Sequence, residues 1–251
     1  MGCLYSTQPT RRLVSTLAEK TYAIIGGTSG MGFALARQLV ARGDRVLIGG
    51  RSREKADAAA QRLGPLAIAR TVDARERDSI AAFFEGSGPL AGLFTPGSVN
   101  HSVSFREDSQ EAAEAVFKAK FWGQYWAVHA ALPHLAPDAS VVLMSGAASV
   151  RPIGAPAYAA CNAAVEGLAR ALALELAPIR VNCVSPGTID SELWRNRPAE
   201  VRKAVGETWE KLTLNRRFGT VDEAAGAALF LLDNGNMNGS AIYVDGGYTL
   251  R

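Results

Sequence analysis

The 251-residue chain predicts an α/β fold, a single domain built on a doubly wound, parallel, seven-stranded sheet. Three observations carry that prediction. From about residue 20 onward, continuous apolar strand-like runs alternate with helical stretches, the pattern of a parallel sheet covered on both faces. The first run leads directly into a glycine turn and a helix. No repeat, low-complexity stretch or shift of composition interrupts the alternation, so right-handed crossovers wind one sheet in both directions.

The expected strands lie at 22–25, 45–48, 66–71, 90–95, 140–144, 179–184 and 241–244, each short and rich in apolar residues. Helices fit between them at 31–41, to Leu63 from an N-cap at Ser52, and at 76–85, 109–132, 157–176 and 221–232. With 48% hydrophobic residues, the chain can bury one substantial core. No apolar run reaches the roughly 18 residues of a membrane helix, so no membrane partner is expected. The formal net charge of +3 is dispersed, which speaks against nucleic acid as a partner. Cys3, Cys161 and Cys183 are odd in number and far apart, unlike a disulfide framework or a zinc site. His101, His129 and His134 have no carboxylate or cysteine at ligand spacing, and no metal is expected. Residues 1–20 form an N-terminal extension, expected to be flexible. Met1-Gly2-Cys3-Leu4-Tyr5-Ser6 fits a myristoylation pattern, and the segment loosely resembles a transit peptide. A plain soluble extension of a cytoplasmic protein is the expected reading.

The glycine turn reads Gly26-Gly27-Thr28-Ser29-Gly30-Met31-Gly32. Gly26 suits the tight turn, Gly30 allows backbone to approach a pyrophosphate, and Gly32 allows the helix to pack against the sheet. The free N–H groups of the helix N-terminus favour phosphate. The second strand ends in Gly49-Gly50-Arg51-Ser52, where an NAD site usually carries an acid. A guanidinium there suits a 2′-phosphate, so the expected cofactor is NADP(H), with Arg51 and Ser52 at the phosphate.

Further along stand Asp73-Ala74, Ser145 thirteen residues before Tyr158, Asn182, Pro186-Gly187-Thr188-Ile189, Ser191 and Asp245-Gly246-Gly247. With the glycine turn, these resemble the short-chain dehydrogenase/reductase family from about Lys20 to the C-terminus. The resemblance implies a Rossmann fold, hydride transfer between a nicotinamide and a carbonyl or alcohol, and a small-molecule substrate. It places Ser145 and Tyr158 at the reacting oxygen, with Tyr158 as acid/base. Asp73 and Ala74 would meet the adenine; Gly97, Pro186, Gly187, Ile189 and Ser191 would meet the nicotinamide side. Residues 191–218, with Trp194, would form a substrate lid, and His101, Arg106, Arg151 and Ile153 would flank the pocket mouth. Relatives assemble as homo-oligomers, tetramers or dimers, for which Trp122, Tyr125 and Trp126 are candidate interface residues as well as candidate core.

The chain departs from the family pattern in three places. The fourth strand ends Phe94-Thr95-Pro96-Gly97, keeping only the glycine. The family's lysine four residues after the tyrosine is Asn162, and its asparagine on the preceding long helix is Lys120. A nearby cation helps a tyrosine act as acid/base, and asparagine supplies none, although it can still bind ribose hydroxyls. The expectation is a permuted tetrad of Lys120, Ser145, Tyr158 and Asn162 in an NADP(H)-dependent carbonyl reductase. Two alternatives stay open on the sequence alone: Lys120 pointing to solvent beside a decayed site, giving a non-catalytic NADP(H)-binding sensor or structural subunit, or an isomerase or dehydratase on the same fold.

Overall fold

The computed structural model describes residues 19–96 and 103–251. The expected N-terminal extension before residue 19, Gly97, His101 and the side chain of Trp194 therefore lie outside the described residues.

Seven parallel strands form the central sheet: β1 (Thr21–Ile25), β2 (Arg45–Gly50), β3 (Ala67–Thr71), β4 (Leu90–Thr95), β5 (Leu135–Met144), β6 (Arg180–Pro186) and β9 (Ala241–Val244). Their order is β3-β2-β1-β4-β5-β6-β9, with every neighbour pair parallel. The strand order reverses between β1 and β4, where open α/β sheets place their ligands. All seven expected strands are present. A two-residue parallel pair, β7 (Ile189–Asp190) with β8 (Gly219–Thr220), lies outside the main sheet.

The side-chain alternation of each strand feeds two cores. Tyr22 and Ile24 of β1 pack on one face with α1 (Gly30–Ala41), α2 (Arg53–Leu63) and α9 (Val221–Asp233). Ala23 and Ile25 pack on the other with α3 (Arg77–Phe84), α5 (Gly123–Ala131) and α6 (Pro156–Glu175). Ser52 caps α2 as expected, its side chain accepting from Lys55 N at 3.2 Å. Arg180 at the start of β6 donates to the carbonyls of Leu231, Leu232 and Asn234, closing the exposed end of α9.

The expected continuous helix over 109–132 is broken. α4 (Gln110–Val116) passes into a π-helical turn (Phe117–Trp122) before α5 resumes. Such wide turns re-aim side chains and concentrate at functional sites. Here Gln124 fills the disturbed ladder. Its Nε2 donates to the carbonyls of Lys120 at 2.9 Å and Met144 at 3.0 Å, while its Oε1 accepts from Thr95 Oγ1 and Met144 N.

Helix α9 opens with a reciprocal capping box between Thr220 and Glu223, and Arg217 pairs with Glu223 at 2.6 Å. That pairing holds the Glu223 carboxyl down to about 2. A depressed carboxylate stabilises the fold fully above its unfolded value, roughly 4.3, and the contribution fades as pH falls toward the folded value. The pair is exposed, so screening keeps the effect small. Glu223→Gln is expected to flatten the acid limb of stability between about pH 4 and 2, read as melting temperature against pH.

Candidate active site

The sites for cofactor and chemistry meet at the carboxyl ends of β1, β4, β5 and β6. Gly26 turns the chain at φ +92, and Gly30 opens α1 at φ +54, both in the left-handed region that favours glycine. A Cβ on Gly32 would stand 2.2 Å from the Gly26 carbonyl oxygen, so the helix approaches the turn as only glycine permits. At Gly30 nothing lies within 4 Å of that position. Ser29 caps α1 without a side-chain hydrogen bond, and no acid occupies its first turn. The helix N-terminus thus presents uncompensated amides to an open face beside Thr28 and Met31. That arrangement fits a dinucleotide phosphate.

At the end of β2, a Cβ on Gly50 would meet Thr28 Cγ2 at 2.7 Å, so an acid there, as in an NAD site, would have to displace the Thr28 side chain. Arg51 follows, exposed to solvent, and acts on the nearby Asp73. Asp73 is held down to about 2, chiefly by hydrogen bonds from the Arg75 guanidinium. Ala74 lies beneath the start of α5, where a Cβ on Gly123 would stand 2.8 Å from its carbonyl oxygen. On the opposite side, Pro186 ends β6 and Gly187 packs against Asp245, whose Oδ1 and Oδ2 accept from Gly247 N and Thr249 N. Ile189 is buried and pairs with Gly219, fixing the segment that leads to Ser191.

The four expected tetrad residues come together. Lys120 is fully buried on the π-helical turn, and its Nζ donates to the Ser145 carbonyl at 2.9 Å. The same ammonium lies 5.3 Å from the centroid of the Tyr158 ring. Ser145, at the end of β5, has its Oγ 2.9 Å from the Asn162 carbonyl. Asn162 Nδ2 donates to the Tyr158 carbonyl one turn earlier on α6. The solvent-pointing alternative for Lys120 is excluded by its burial.

Asn162 departs from the expected picture in one respect. Its side chain is buried rather than open to the cofactor face, and Oδ1 accepts no hydrogen bond among the described residues. Sequence reasoning also missed Glu166, which is buried one turn beyond Asn162 and binds Ser145 Oγ at 3.0 Å. The spacing Tyr158, Asn162, Glu166 places all three along one side of α6 and was the available signal. Gln124, four residues after Lys120, was missed in the same way.

At the expected pocket mouth, Arg106 and Ile153 are exposed. Arg151 is engaged elsewhere, donating to the Tyr248 carbonyl and stacking on the Tyr248 ring. The two described cysteines are buried, and burial raises both thiols, Cys183 to about 12, so neither is set up as a nucleophile.

Residues 26–249 match the family described as enoyl-(acyl carrier protein) reductase. Galactitol 2-dehydrogenase (L-tagatose-forming) of Cereibacter sphaeroides is 33% identical over 95% of this chain and 98% of its own length. Sorbose reductase of Schizosaccharomyces pombe is likewise 33% identical, over 94% of this chain and 98% of its own. A solved small-chain dehydrogenase in complex with NADPH superposes with a TM-score of 0.80 at 31% identity, covering 93% of this chain and 100% of that one. The chain belongs to the short-chain dehydrogenase/reductase family, and it is an oxidoreductase acting on CH–OH and C=O groups.

Proposed function

We propose that the protein is an NADP(H)-dependent carbonyl reductase in which Lys120 supplies the charge that Asn162 cannot. The observation carrying this reading is the buried Lys120 ammonium, set between the Ser145 carbonyl and the Tyr158 ring. A decayed site has no reason to keep a desolvated cation there, because burying one without function costs several kcal/mol. No observation favours the non-catalytic or isomerase readings.

NADPH, when bound, supplies the hydride to the carbonyl carbon. Gly26, Thr28, Ser29, Gly30, Met31 and Gly32 would hold its pyrophosphate, Arg51 and Ser52 its 2′-phosphate, and Asp73 and Ala74 its adenine. Pro186, Gly187, Ile189 and Ser191 would border the nicotinamide, with Gly97, outside the described residues, assigned to the same side by the resemblance alone. Tyr158 gives its proton to the oxygen of the reduced carbonyl, and Ser145 donates a hydrogen bond to the same oxygen. Lys120 stabilises negative charge as it develops on the Tyr158 oxygen. Asn162 Oδ1, buried without a hydrogen bond among the described residues, would be the acceptor for a ribose hydroxyl. Residues 191–218, comprising α7 (Glu192–Arg195) and α8 (Ala199–Leu212), act as the lid.

Oxidation of NADPH by the purified protein against ketones, aldehydes and quinones, with NADH in parallel, tests the reading. The relatives named for sorbose and L-tagatose make these ketoses the first compounds to include. Turnover with NADPH preferred supports it; silence from protein that binds NADPH contradicts it. Arg51→Ala is expected to weaken NADPH about tenfold or more while leaving NADH within about twofold, measured as dissociation constants.

The cytoplasm is the proposed compartment. The proposed assembly is a homo-oligomer in which a second copy covers the linked aromatic rings of Trp122, Tyr125 and Trp126. Trp122 leaves 46% of its surface exposed, more than a core residue of this size would. Trp122→Glu is expected to lower the mass measured by light scattering; an unchanged oligomer places the interface elsewhere.

A further inference from the structure

One buried carboxylate has no part in the chemistry described so far. Glu166 accepts four hydroxyls from three separate parts of the fold: the segment after β5, β6 and β9. Its Oε1 takes Ser145 Oγ at 3.0 Å, Ser149 Oγ at 2.6 Å and Ser185 Oγ at 2.7 Å, and its Oε2 takes Tyr243 Oη at 2.9 Å. Side chains of this type are almost never buried unless paired. Here the four hydroxyls satisfy the carboxylate, and Ser145 is held from two ends: Lys120 binds its carbonyl and Glu166 binds its hydroxyl.

The hydroxyl of Ser145 is contested. Its oxygen lies near three acceptors, namely the carbonyls of Asn162 at 2.9 Å and Gly146 at 3.5 Å, and Glu166 Oε1. A serine has one hydrogen to give, and a carboxylate takes it in preference to a neutral carbonyl because charge-assisted bonds are about twice as strong. To serve a substrate oxygen, Ser145 must withdraw that proton from Glu166. Withdrawal from a buried carboxylate is ordinarily costly, because it leaves a buried acceptor unsatisfied. Here Ser149 and Ser185 remain on the same oxygen, so Oε1 keeps two donors after Ser145 turns away.

We propose that Glu166 is a positioning residue that holds the Ser145 hydroxyl proton before substrate binds and releases it to the substrate oxygen. The proposal rests on the role assigned to Ser145 above. No bond is broken in the step; one hydrogen bond is exchanged for another as the Ser145 hydroxyl rotates.

The test is a double-mutant cycle between Ser145→Ala and Glu166→Gln, using the panel carbonyl that the wild type reduces fastest. Without the carboxylate, the Ser145 hydroxyl keeps only the Asn162 and Gly146 carbonyls as partners and loses its set orientation. Glu166→Gln should therefore lower kcat about tenfold or more, with KM and the NADPH dissociation constant within about twofold. In the Ser145→Ala background the same substitution should change kcat by less than about twofold, because its route of action is already gone. A purely structural role would instead repeat the full loss in that background, and that result overturns the proposal. An undiminished kcat in Glu166→Gln overturns it too. Should Glu166→Gln fail to fold, Glu166→Asp, which keeps the charge but retracts it from Ser145, must show the same coupling. Ser145→Ala turning over at the wild-type rate contradicts the parent reading, whereas loss in Ser145→Ala with none in Glu166→Gln overturns only the role of Glu166.

Discussion

Tyr158→Phe is expected to lower kcat by about 10²- to 10⁴-fold, the range that general acid catalysis supplies, with NADPH affinity held within about twofold. The substitution removes one oxygen and leaves the ring in place. That ring faces the Lys120 ammonium at 5.3 Å, and α6 is held by the Asn162 amide on the Tyr158 backbone carbonyl rather than by the phenolic oxygen. Fold and cofactor site should therefore survive the change. Steady-state turnover and a fluorescence titration of NADPH separate the two effects. Loss of binding in parallel with turnover would mean that Tyr158 is structural.

The second large effect is expected at Lys120. The Lys120 ammonium stands 5.3 Å from the centroid of the Tyr158 ring. A unit charge at roughly 5 Å from a forming anion contributes about 3 kcal/mol at an effective dielectric of 20, which corresponds to roughly 10²-fold in rate. Lys120→Met keeps an unbranched, apolar chain one atom shorter and removes the ammonium. Turnover should fall by about that factor across the whole pH range. The variant also leaves the buried Ser145 carbonyl without its lysine donor, so a lower melting temperature is expected alongside. Measuring kcat well below that temperature keeps the two consequences apart. Unchanged turnover at every pH would remove Lys120 from the mechanism.

The fold was legible because its signals are local. Apolar runs mark all seven strands of the main sheet, and the glycine turn announces the first crossover with its φ-positive Gly26 and Gly30. The grouping of Lys120, Ser145, Tyr158 and Asn162 was legible through the family resemblance, which marks Lys120 and Asn162 as exchanged, and the structure brings both to Ser145. What stayed hidden depends on contacts between distant segments. The π-helical turn at Phe117–Trp122 leaves no mark in the apolar pattern, because Val116 before it and Ala127 after it are both buried as in an unbroken helix. β7 and β8 have two residues each, too few for any alternation. Arg151 reads as a free cation until the Tyr248 carbonyl, 97 residues away, is seen beside it. Glu166 reads as one more polar helix residue until four hydroxyls from the sheet side surround it.

The central claim is that exchanging lysine and asparagine between the two helices preserves the chemistry, and the reciprocal exchange tests it most directly. NADPH turnover should be compared in the wild type, in Lys120→Asn and in the double variant Lys120→Asn with Asn162→Lys. The account predicts a loss of about 10²-fold in the single variant, with most of it recovered when the lysine is returned beside Tyr158 on α6. Wild-type turnover in Lys120→Asn would contradict it, because the buried cation would then have no part in the reaction.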